Sequence, residues 1–344
     1  MYGIYARKGA FITKYVFIND IKKGDILAKT IFDNDCSILL TANSYLTERN
    51  IASIEKLGFN GLYIFDDADG AQQIDLLSDE TRQNALKSLK HMNIDDCLYI
   101  ANAITNSVLE KPEVLYDLMN ICSYDNGTYM HSINVAILAT MIGVDLHLSN
   151  EKLRALSQAA LLHDIGKTCI SERMLNKAGR LTDEEYDMMK RHAGYGYNIL
   201  KKNELISEEI RLGILHHHEN EDGSGYPFGL KSDKIPLFAK IIHVADVYDA
   251  MISKRSYKNT INPGDVLEYI MGNIAVFDIS VVIALIHCVT LYPIGTKVML
   301  SDGSTGVVHH SVKGYPQRPQ IKKKNGQIVD LMQNLNITIT SIVT

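Results

Sequence analysis

Hydrophobic residues follow three different patterns along the 344-residue chain. From residue 78 to about residue 291 they recur at three- and four-residue intervals, as at Val135, Leu138 and Ile142, which is the period of amphipathic helices. The segments before and after contain short apolar runs separated by turn residues, which is typical of strands. We therefore predict a multidomain protein with a small N-terminal α/β module at residues 1–70, an all-α domain at residues 71–292 and a small antiparallel β domain at residues 293–344.

The two flanking segments carry their own capping and turn signals. Thr47 precedes a predicted helix that ends near Leu57, and the apolar runs around it predict strands. In the C-terminal segment, the pairs Asp302-Gly303 and Asn325-Gly326 are typical of tight turns between antiparallel strands. The N-terminal module shows no obvious set of catalytic residues.

Composition and charge narrow the class of protein. With 46% hydrophobic and 22% charged residues, the chain has the balance of a globular protein. Its net charge of -5 argues against a nucleic-acid polymer as the main partner, since binding a phosphate backbone usually requires a basic surface. The five cysteines include no CxxC pair, so we expect mostly buried thiols in a reducing cytoplasm. The most apolar run, residues 279–292, is too short to span a bilayer, which predicts a core helix and no membrane insertion.

Seven nitrogen and oxygen donors in the helical stretch have the chemistry of transition-metal ligands. They are His131, His163, Asp164, His192, His217, His218 and Asp246. The adjacent pair His163-Asp164 is the most informative, because neighbouring side chains at a helix end point about 100° apart and can serve or bridge two metals. Each histidine taken alone is more often a core or surface residue, and spacing does not choose between Asp246 and its neighbours His243 and Asp249. As a set, the donors indicate a binuclear metal-dependent hydrolase.

Two further segments are candidates for substrate contact. Gly225 permits backbone angles that other residues resist and Pro227 fixes its own φ, so that Tyr226 between them is presented on a shaped loop. In the basic segment Lys254–Lys258, Arg255 has the forked guanidinium that binds phosphate oxygens. An ordinary turn and a solvated basic segment are the competing interpretations.

Together these segments resemble the HD-GYP domains, a subgroup of the HD metal-dependent phosphohydrolases. The resemblance rests on His163-Asp164-Ile165-Gly166-Lys167 and on Gly225-Tyr226-Pro227 after His217-His218-Glu219. Supporting matches are His131-Ser132, Asn176–Gly179, His192, Val244–Ala250 and Arg255–Lys258. The similarity runs from about Asp117 to Leu291, and the two flanking segments resemble, more loosely, accessory segments found with such domains.

The resemblance implies an all-helical HD-type catalytic domain that cleaves cyclic di-GMP to linear pGpG or to GMP. It implies divalent transition-metal ions, iron or manganese, as cofactors. By position, the implied metal ligands are His131, His163, Asp164, His192, His217, His218 and Asp246. Asp164 would bridge the metals, and Lys167 would lie beside the scissile phosphate. The implied substrate-binding residues are Tyr226, Arg255 and Lys258, and a homodimer or a signalling-protein partner stays open.

Three positions differ from the common pattern of the family. Gly127 stands where some members place a glutamate, one helical turn before His131, that serves a third metal; we therefore expect two metal ions. Asn220 replaces an arginine that is common in the loop, and Ser256 replaces a common proline in the basic segment. Neither of these two changes removes a ligand, but both bear on the affinity for substrate.

Other functions compete with this interpretation. One is a catalytically weak receptor that binds cyclic di-GMP and passes a conformational signal to the flanking modules. Another is an HD phosphohydrolase that acts on a different cyclic dinucleotide or on a nucleotide. A purely structural zinc protein is disfavoured, because the chain has few cysteines and several adjacent histidine-carboxylate pairs.

Overall fold

The computed structural model describes residues 11–33, 37–57, 59, 61–69, 76–111, 115–117, 127–175, 177, 179–253, 263–292 and 294–343. The helices are α1 (Glu48–Lys56), α2 (Asp79–Lys90), α3 (Ile94–Glu110), α4 (Gly127–Asp145), α5 (Asn150–Leu162), α6 (Glu172–Leu175), α7 (Asp183–Lys190), α8 (His192–Leu200), α9 (Glu208–Leu215), α10 (Leu237–Ser253), α11 (Pro263–Gly272) and α12 (Ile279–Cys288). The strands are β1 (Phe11–Phe17), β2 (Ile31–Phe32), β3 (Ile38–Leu40), β4 (Gly61–Asp69), β5 (Tyr116–Asp117), β6 (Val289–Thr290), β7 (Lys297–Leu300), β8 (Thr305–His310), β9 (Gln320–Lys323), β10 (Ile328–Asp330) and β11 (Ile339–Ile342).

These elements form two compact units. One contains residues 76–116 and 127–288, and the other contains residues 1–75, 117–126 and 289–344. The helical character predicted for the middle of the chain is confirmed in the first unit. The predicted boundaries after residues 70 and 292 stay predictions.

Helix α4 lies at the centre of the helical unit. It packs against α5, α10 and α12, and it also contacts α2 and α3. Ala136, Leu138 and Ala139 are fully buried, and the two small alanine side chains let neighbouring helices approach closely. Because α4 is enclosed on several sides, its polar Ser132 and Asn134 are buried, and the His131 side chain, which contacts α10, is only 14% exposed.

Capping residues fix where the helices around α4 begin. Ser149, Thr182 and Ser207 each accept a hydrogen bond from the backbone N–H three residues later, at the first turns of α5, α7 and α9. Thr182 also forms a reciprocal capping box with Glu185. These starts set the register of the three helices, and the histidines of interest follow at their other ends.

The two flanking regions contain antiparallel strands. In the N-terminal region, β1 pairs with β4, and α1 begins after Thr47 as predicted, with a core that includes Leu27, Leu46 and Ile54. In the C-terminal region, five strands form an antiparallel sheet in the order β10-β9-β8-β7-β11, which confirms the predicted sheet. Val298 and Leu300 alternate with exposed residues along β7, so one face of this sheet is buried.

Only the first part of the apolar run at residues 279–292, which was predicted to be a core helix, is helical. Helix α12 ends at Cys288, and Val289–Thr290 form a short strand. The β-branched Val289 and Thr290 favour the extended conformation at this point. None of the helices in the described ranges combines the length and apolar character needed to cross a membrane.

Candidate metal centre

The pair His163-Asp164 lies directly after α5. His163 is the C-cap residue of this helix, and Asp164 precedes a short 3-10 turn over Ile165–Cys169. The turn contacts α8 so closely that a Cβ on Gly166 would lie 1.9 Å from the carbonyl oxygen of His192. Glycine at this position therefore brings the His163-Asp164 pair next to the first residue of α8.

Three of the candidate histidines are oriented in the same way. In each, Nδ1 forms a hydrogen bond with the backbone carbonyl oxygen of the residue three positions earlier. These bonds join His163 to Ala160, His192 to Met189 and His217 to Ile214, at 2.8, 2.7 and 2.6 Å. A carbonyl oxygen only accepts, so each Nδ1 carries the proton and each Nε2 carries a free lone pair. This is the arrangement that prepares histidine for metal binding.

The three Nε2 atoms and the Asp164 carboxylate form a series of close contacts. The Nε2 atoms of His192 and His217 are 3.3 Å apart, and Asp164 oxygens lie 3.4 Å from His163 Nε2 and 3.5 Å from His192 Nε2. All of these atoms are acceptors, so they repel one another unless a cation lies among them. His163 Nε2 and Asp164 Oδ1 are buried without a hydrogen-bond partner in the described part of the chain. The donor set therefore fits a metal cation.

Burial favours the neutral form of three of the imidazoles. It is the main cause that holds the pKa of His217 well below the usual value, and it lowers the pKa of His218 to about 3. Burial also lowers the pKa of His192, although Asp164 opposes this effect. Neutral imidazole is the protonation state that binds a metal, so these side chains need not lose a proton first.

The carboxylates stay ionised despite burial. Burial acts to raise the pKa of Asp164, but Lys167 and His163 outweigh it and hold the pKa well below the usual range. Asp246 behaves in the same way, with His131 as the main opposing group. Two buried negative charges in a cluster of metal-binding side chains attract a cation.

His131, on α4, lies between two carboxylates of α10. Its Nε2 is 2.9 Å from Asp246 Oδ1, and its Nδ1 is 2.7 Å from Asp249 Oδ2. Burial acts to lower the pKa of His131, but the hydrogen bonds to Asp246 and Asp249 outweigh it and raise the pKa to about 10. Asp249, which sequence spacing left open as a ligand, thus contacts the side of the ring that faces away from Asp246.

The seven candidates form overlapping donor groups. Within the part of the chain that the structure describes, the groups whose donor atoms lie within 4.8 Å of one another are His192-His217-His218, His131-His163-Asp164 and His163-His217-Asp246. The first two groups share no residue. The structure therefore brings all seven predicted residues into one cluster that has the donors for more than one metal ion.

The loop after His218 places Tyr226 against this cluster. The Tyr226 ring is stacked on the His218 ring, with centroids 4.6 Å apart. Burial, followed by the nearby Tyr186, Asp246 and Asp164, raises the pKa of the Tyr226 hydroxyl, so this group remains a hydrogen-bond donor at neutral pH. Tyr186, on α7, has no signal in the sequence that identifies it as a neighbour of the cluster.

The other residues singled out from the sequence have different places. Lys167 forms a salt bridge with Asp164 Oδ2 at the edge of the cluster. His243 packs against Phe277, and His216 packs against Phe228; neither belongs to the donor groups found in the described ranges. Arg255 and Lys258, the predicted phosphate- or guanine-binding residues, lie outside the described residues, as does Ser256.

Comparisons with known proteins identify the domain. Residues 113–281 match the family model described as an HD domain. A cyclic di-GMP phosphodiesterase of Pseudomonas aeruginosa is 38% identical over 209 residues, which cover 61% of this chain and 50% of that protein. A 3'3'-cGAMP-specific phosphodiesterase of Vibrio cholerae is 39% identical over 128 residues, which cover 37% of this chain and 28% of that protein.

A solved structure has a similar fold. An HDG"Y"P protein from Bdellovibrio bacteriovorus matches with a TM-score of 0.53, over 80% of this chain and 98% of that one, at 16% sequence identity. The chain spans about half the length of the P. aeruginosa relative. The matched HD domain encloses both the His163-Asp164 pair and the Gly225-Tyr226-Pro227 loop. The chain therefore contains an HD domain at residues 113–281.

Proposed function

We propose that this chain is a metal-dependent phosphodiesterase that hydrolyses cyclic di-GMP to pGpG, to GMP or to both. The observation that carries the proposal is a series of close contacts between acceptors: the Nε2 atoms of His163 and His192 lie next to the buried Asp164 carboxylate, and His192 Nε2 lies next to His217 Nε2. Without a cation these acceptors would repel one another. Catalytic phosphodiester hydrolysis is the chemistry that such a centre suits.

The donor groups support two metal ions. His192, His217 and His218 would hold one ion, and His131, His163 and Asp246 would complete the site of the other. Asp164 is within 3.5 Å of Nε2 atoms from both sides and would bridge the two. The sequence has Gly127 one turn before His131, so no carboxylate is available there for a third ion. Imidazole-rich sites with carboxylates favour iron or manganese over magnesium or calcium.

Divalent metals at such a site lower the pKa of water and polarise phosphoryl oxygens. The protein residues supply orientation and charge. The Nδ1 bonds to backbone carbonyls hold the rings of His163, His192 and His217 in fixed orientations. Asp164, with a lowered pKa, keeps its negative charge between the two sides of the centre.

Lys167 would act as the cationic partner of the scissile phosphate. Burial acts to lower its pKa, but the adjacent Asp164 outweighs burial and raises the pKa above the usual value. The ammonium therefore stays protonated at neutral pH and would offset the negative charge that develops on the phosphate. A protonated Lys167 could also donate its proton to the departing oxygen, whereas it could not serve as a base.

The loop supports a substrate role for Tyr226. Its ring lies on His218 at the edge of the centre, and its hydroxyl remains protonated. We propose that Tyr226 contacts the substrate, and that Arg255 and Lys258 bind its phosphate or guanine groups. Asn220, which replaces the arginine common in the family, donates a hydrogen bond to Ser224 within the loop.

Relatives with different substrates define the competing function. One of the similar proteins is named a cyclic di-GMP phosphodiesterase and another a 3'3'-cGAMP-specific phosphodiesterase. Both substrates are cyclic dinucleotides with the same phosphodiester ring. Cyclic di-GMP is the preferred proposal because the longer of the two matches has this specificity in its name.

The test is a comparison of metal content and turnover. The protein would be purified without oxygen, its iron, manganese and zinc measured, and hydrolysis of cyclic di-GMP and of 3'3'-cGAMP followed with product identification. We expect close to two metal ions per chain and faster turnover of cyclic di-GMP. The variant Asp164→Ala should lose bound metal and activity together. Binding of cyclic di-GMP without turnover by the metal-loaded protein would instead support the receptor function.

A further inference from the structure

We infer that Glu219 is a positioning residue, which holds the loop that carries Tyr226 against the metal centre. Glu219 directly follows the candidate ligands His217 and His218. It belongs to none of the donor groups found among the described residues, so the proposed chemistry gives it no role. Its contacts are with the backbone on the far side of Tyr226.

The carboxylate of Glu219 binds two backbone N–H groups. Its Oε1 accepts a hydrogen bond from the Phe228 N–H at 2.8 Å, and its Oε2 accepts one from the Leu230 N–H at 2.9 Å. On the near side, the N–H of Tyr226 donates to the carbonyl oxygen of His218 at 3.0 Å. The segment that contains Tyr226 is therefore bound at both ends by His218 and Glu219.

The loop passes too close to residues 218–220 to accept a side chain at Gly225. A Cβ on Gly225 would lie 2.4 Å from the Asn220 N and 2.4 Å from the His218 carbonyl oxygen. The chain at Gly225 thus runs directly over the backbone of residues 218–220. Because the loop is held this close to residues 218–220, we expect a change at Glu219 to shift the Tyr226 ring.

Glu219 is buried, and these two hydrogen bonds satisfy its carboxylate oxygens. Its side chain is fully shielded from solvent, and His216 Nδ1 lies 3.6 Å from its Oε1. Hydrogen bonds from N–H groups to a carboxylate are stronger than those to a neutral oxygen. A glutamine at this position would turn an NH2 toward one of the two N–H groups, because an amide has only one acceptor oxygen. The Glu219→Gln variant would therefore lose one of the two hydrogen bonds to the loop while keeping a side chain of the same size.

The inference rests on the proposed function, since it assigns Tyr226 the role of contacting the cyclic dinucleotide. The expected signature of Glu219→Gln is a rise of about tenfold in KM for cyclic di-GMP with a small change in kcat. Hydrolysis of bis(4-nitrophenyl) phosphate, which is too small to depend on the loop, should stay within about twofold of the unchanged protein. Glu219→Asp keeps the charge and both acceptor oxygens and should give an intermediate KM.

A matched control lies two residues away. Glu221→Gln makes the same chemical change in the same loop, but the Glu221 carboxylate pairs with Lys240, which also binds Asp278. We expect this control to keep the KM for cyclic di-GMP. Metal content should be unchanged in both variants, because neither residue belongs to the donor groups found in the described residues.

Hydrogen exchange gives a readout that needs no turnover. In the metal-loaded protein, amide exchange in the segment 226–231 should be about tenfold faster in Glu219→Gln and unchanged in Glu221→Gln. If cyclic di-GMP is not hydrolysed but exchange accelerates in this segment, the proposed function fails and the positioning role stands. Unchanged exchange and unchanged KM, or equal losses on both substrates together with loss of metal, would overturn the inference.

Discussion

The Nδ1 atom of His131 lies 2.7 Å from Oδ2 of Asp249, across the interface between α4 and α10. The Asp249 side chain is only 4% exposed, so this bond forms in a buried environment. The other ring nitrogen, Nε2, faces Asp246 and the donor cluster. Asp249 therefore orients a candidate ligand without belonging to the donor groups found in the described ranges.

Replacing Asp249 should weaken metal binding. In Asp249→Ala, His131 loses the carboxylate that fixes its ring and raises its basicity, so we expect affinity for Mn²⁺ or Fe²⁺ to fall by about tenfold or more. Metal content after dialysis against a weak chelator, measured by mass spectrometry, checks this.

Asp145→Ala is the matched control for this change. Asp145 Oδ2 lies 2.7 Å from His287 Nδ1, so it forms the same kind of pair between α4 and α12. We expect this variant to keep its metal. Equal metal loss in both variants would show that the effect is one of general destabilisation.

Lys167 should affect the rate more than metal binding. Lys167→Met removes the ammonium that pairs with Asp164 but no candidate ligand, and we expect kcat to fall by about 100-fold with metal content retained. Lys167→Arg keeps the charge and should retain more activity. Lys152→Met removes a comparable pair with Glu209 at an exposed site, and its kcat should be unchanged. A Lys167→Met variant with normal kcat would exclude the proposed role.

The donor cluster was largely predictable because its members are marked by local sequence. His163-Asp164 and His217-His218 are adjacent pairs, and each lies just after a helix whose start is marked by a serine cap. The capping residue and the spacing of the apolar residues indicate where such a helix begins and ends. They therefore also indicate which side chains lie at its C-terminal end.

The supporting contacts were not predictable in the same way. Asp249 is 118 residues from His131 in the chain, and their bond depends on how α4 packs against α10. The spacing of Asp246, Asp249 and His243 along α10 did not show which of them lies in the donor cluster. That difference depends on how α10 packs against its neighbours. Glu219 is next to a predicted ligand, but its contacts with Phe228 and Leu230 depend on the fold of the loop.

The cysteines differ in burial more than composition suggests. Cys97 and Cys288 are buried as expected, whereas Cys169 is exposed. Burial, with a smaller contribution from Asp96, raises the pKa of Cys97 to about 12. Because the thiolate is the reactive form, iodoacetamide at pH 8 should label Cys169 at least about tenfold faster than Cys97. Peptide mapping measures the two rates, and equal rates in the folded protein would contradict this.

The Cys97 thiol also predicts a pH dependence of stability. Folding raises its pKa above the ordinary value of 9.0, so the unfolded chain ionises first. The free energy of unfolding should therefore decrease as pH rises from about 9 toward 12. Urea unfolding at several pH values measures this decrease, and Cys97→Ala should make it smaller.

Gly166 tests how closely the His163-Asp164 turn must approach α8. A Cβ at this position would lie 1.9 Å from the His192 carbonyl oxygen and 2.5 Å from the Gly196 N, both backbone atoms that a rotamer change cannot move. We expect Gly166→Ala to reduce the free energy of unfolding by about 3 kcal/mol or more. Because the turn and α8 carry Asp164 and His192, metal content should fall as well.

Gly194 provides the matched comparison two residues into α8. A Cβ there meets nothing within 4 Å, and alanine favours a helix more than glycine does. Gly194→Ala should therefore raise the free energy of unfolding by about 0.5–1 kcal/mol and leave metal content unchanged. Urea unfolding and metal analysis of the two variants separate a general effect of alanine in this region from a specific need for contact at Gly166. If both variants kept their stability and their metal, the turn at Gly166 could move away from α8 without a loss of stability. The close contact between the turn and α8 would then not be the reason that Asp164 lies next to His192.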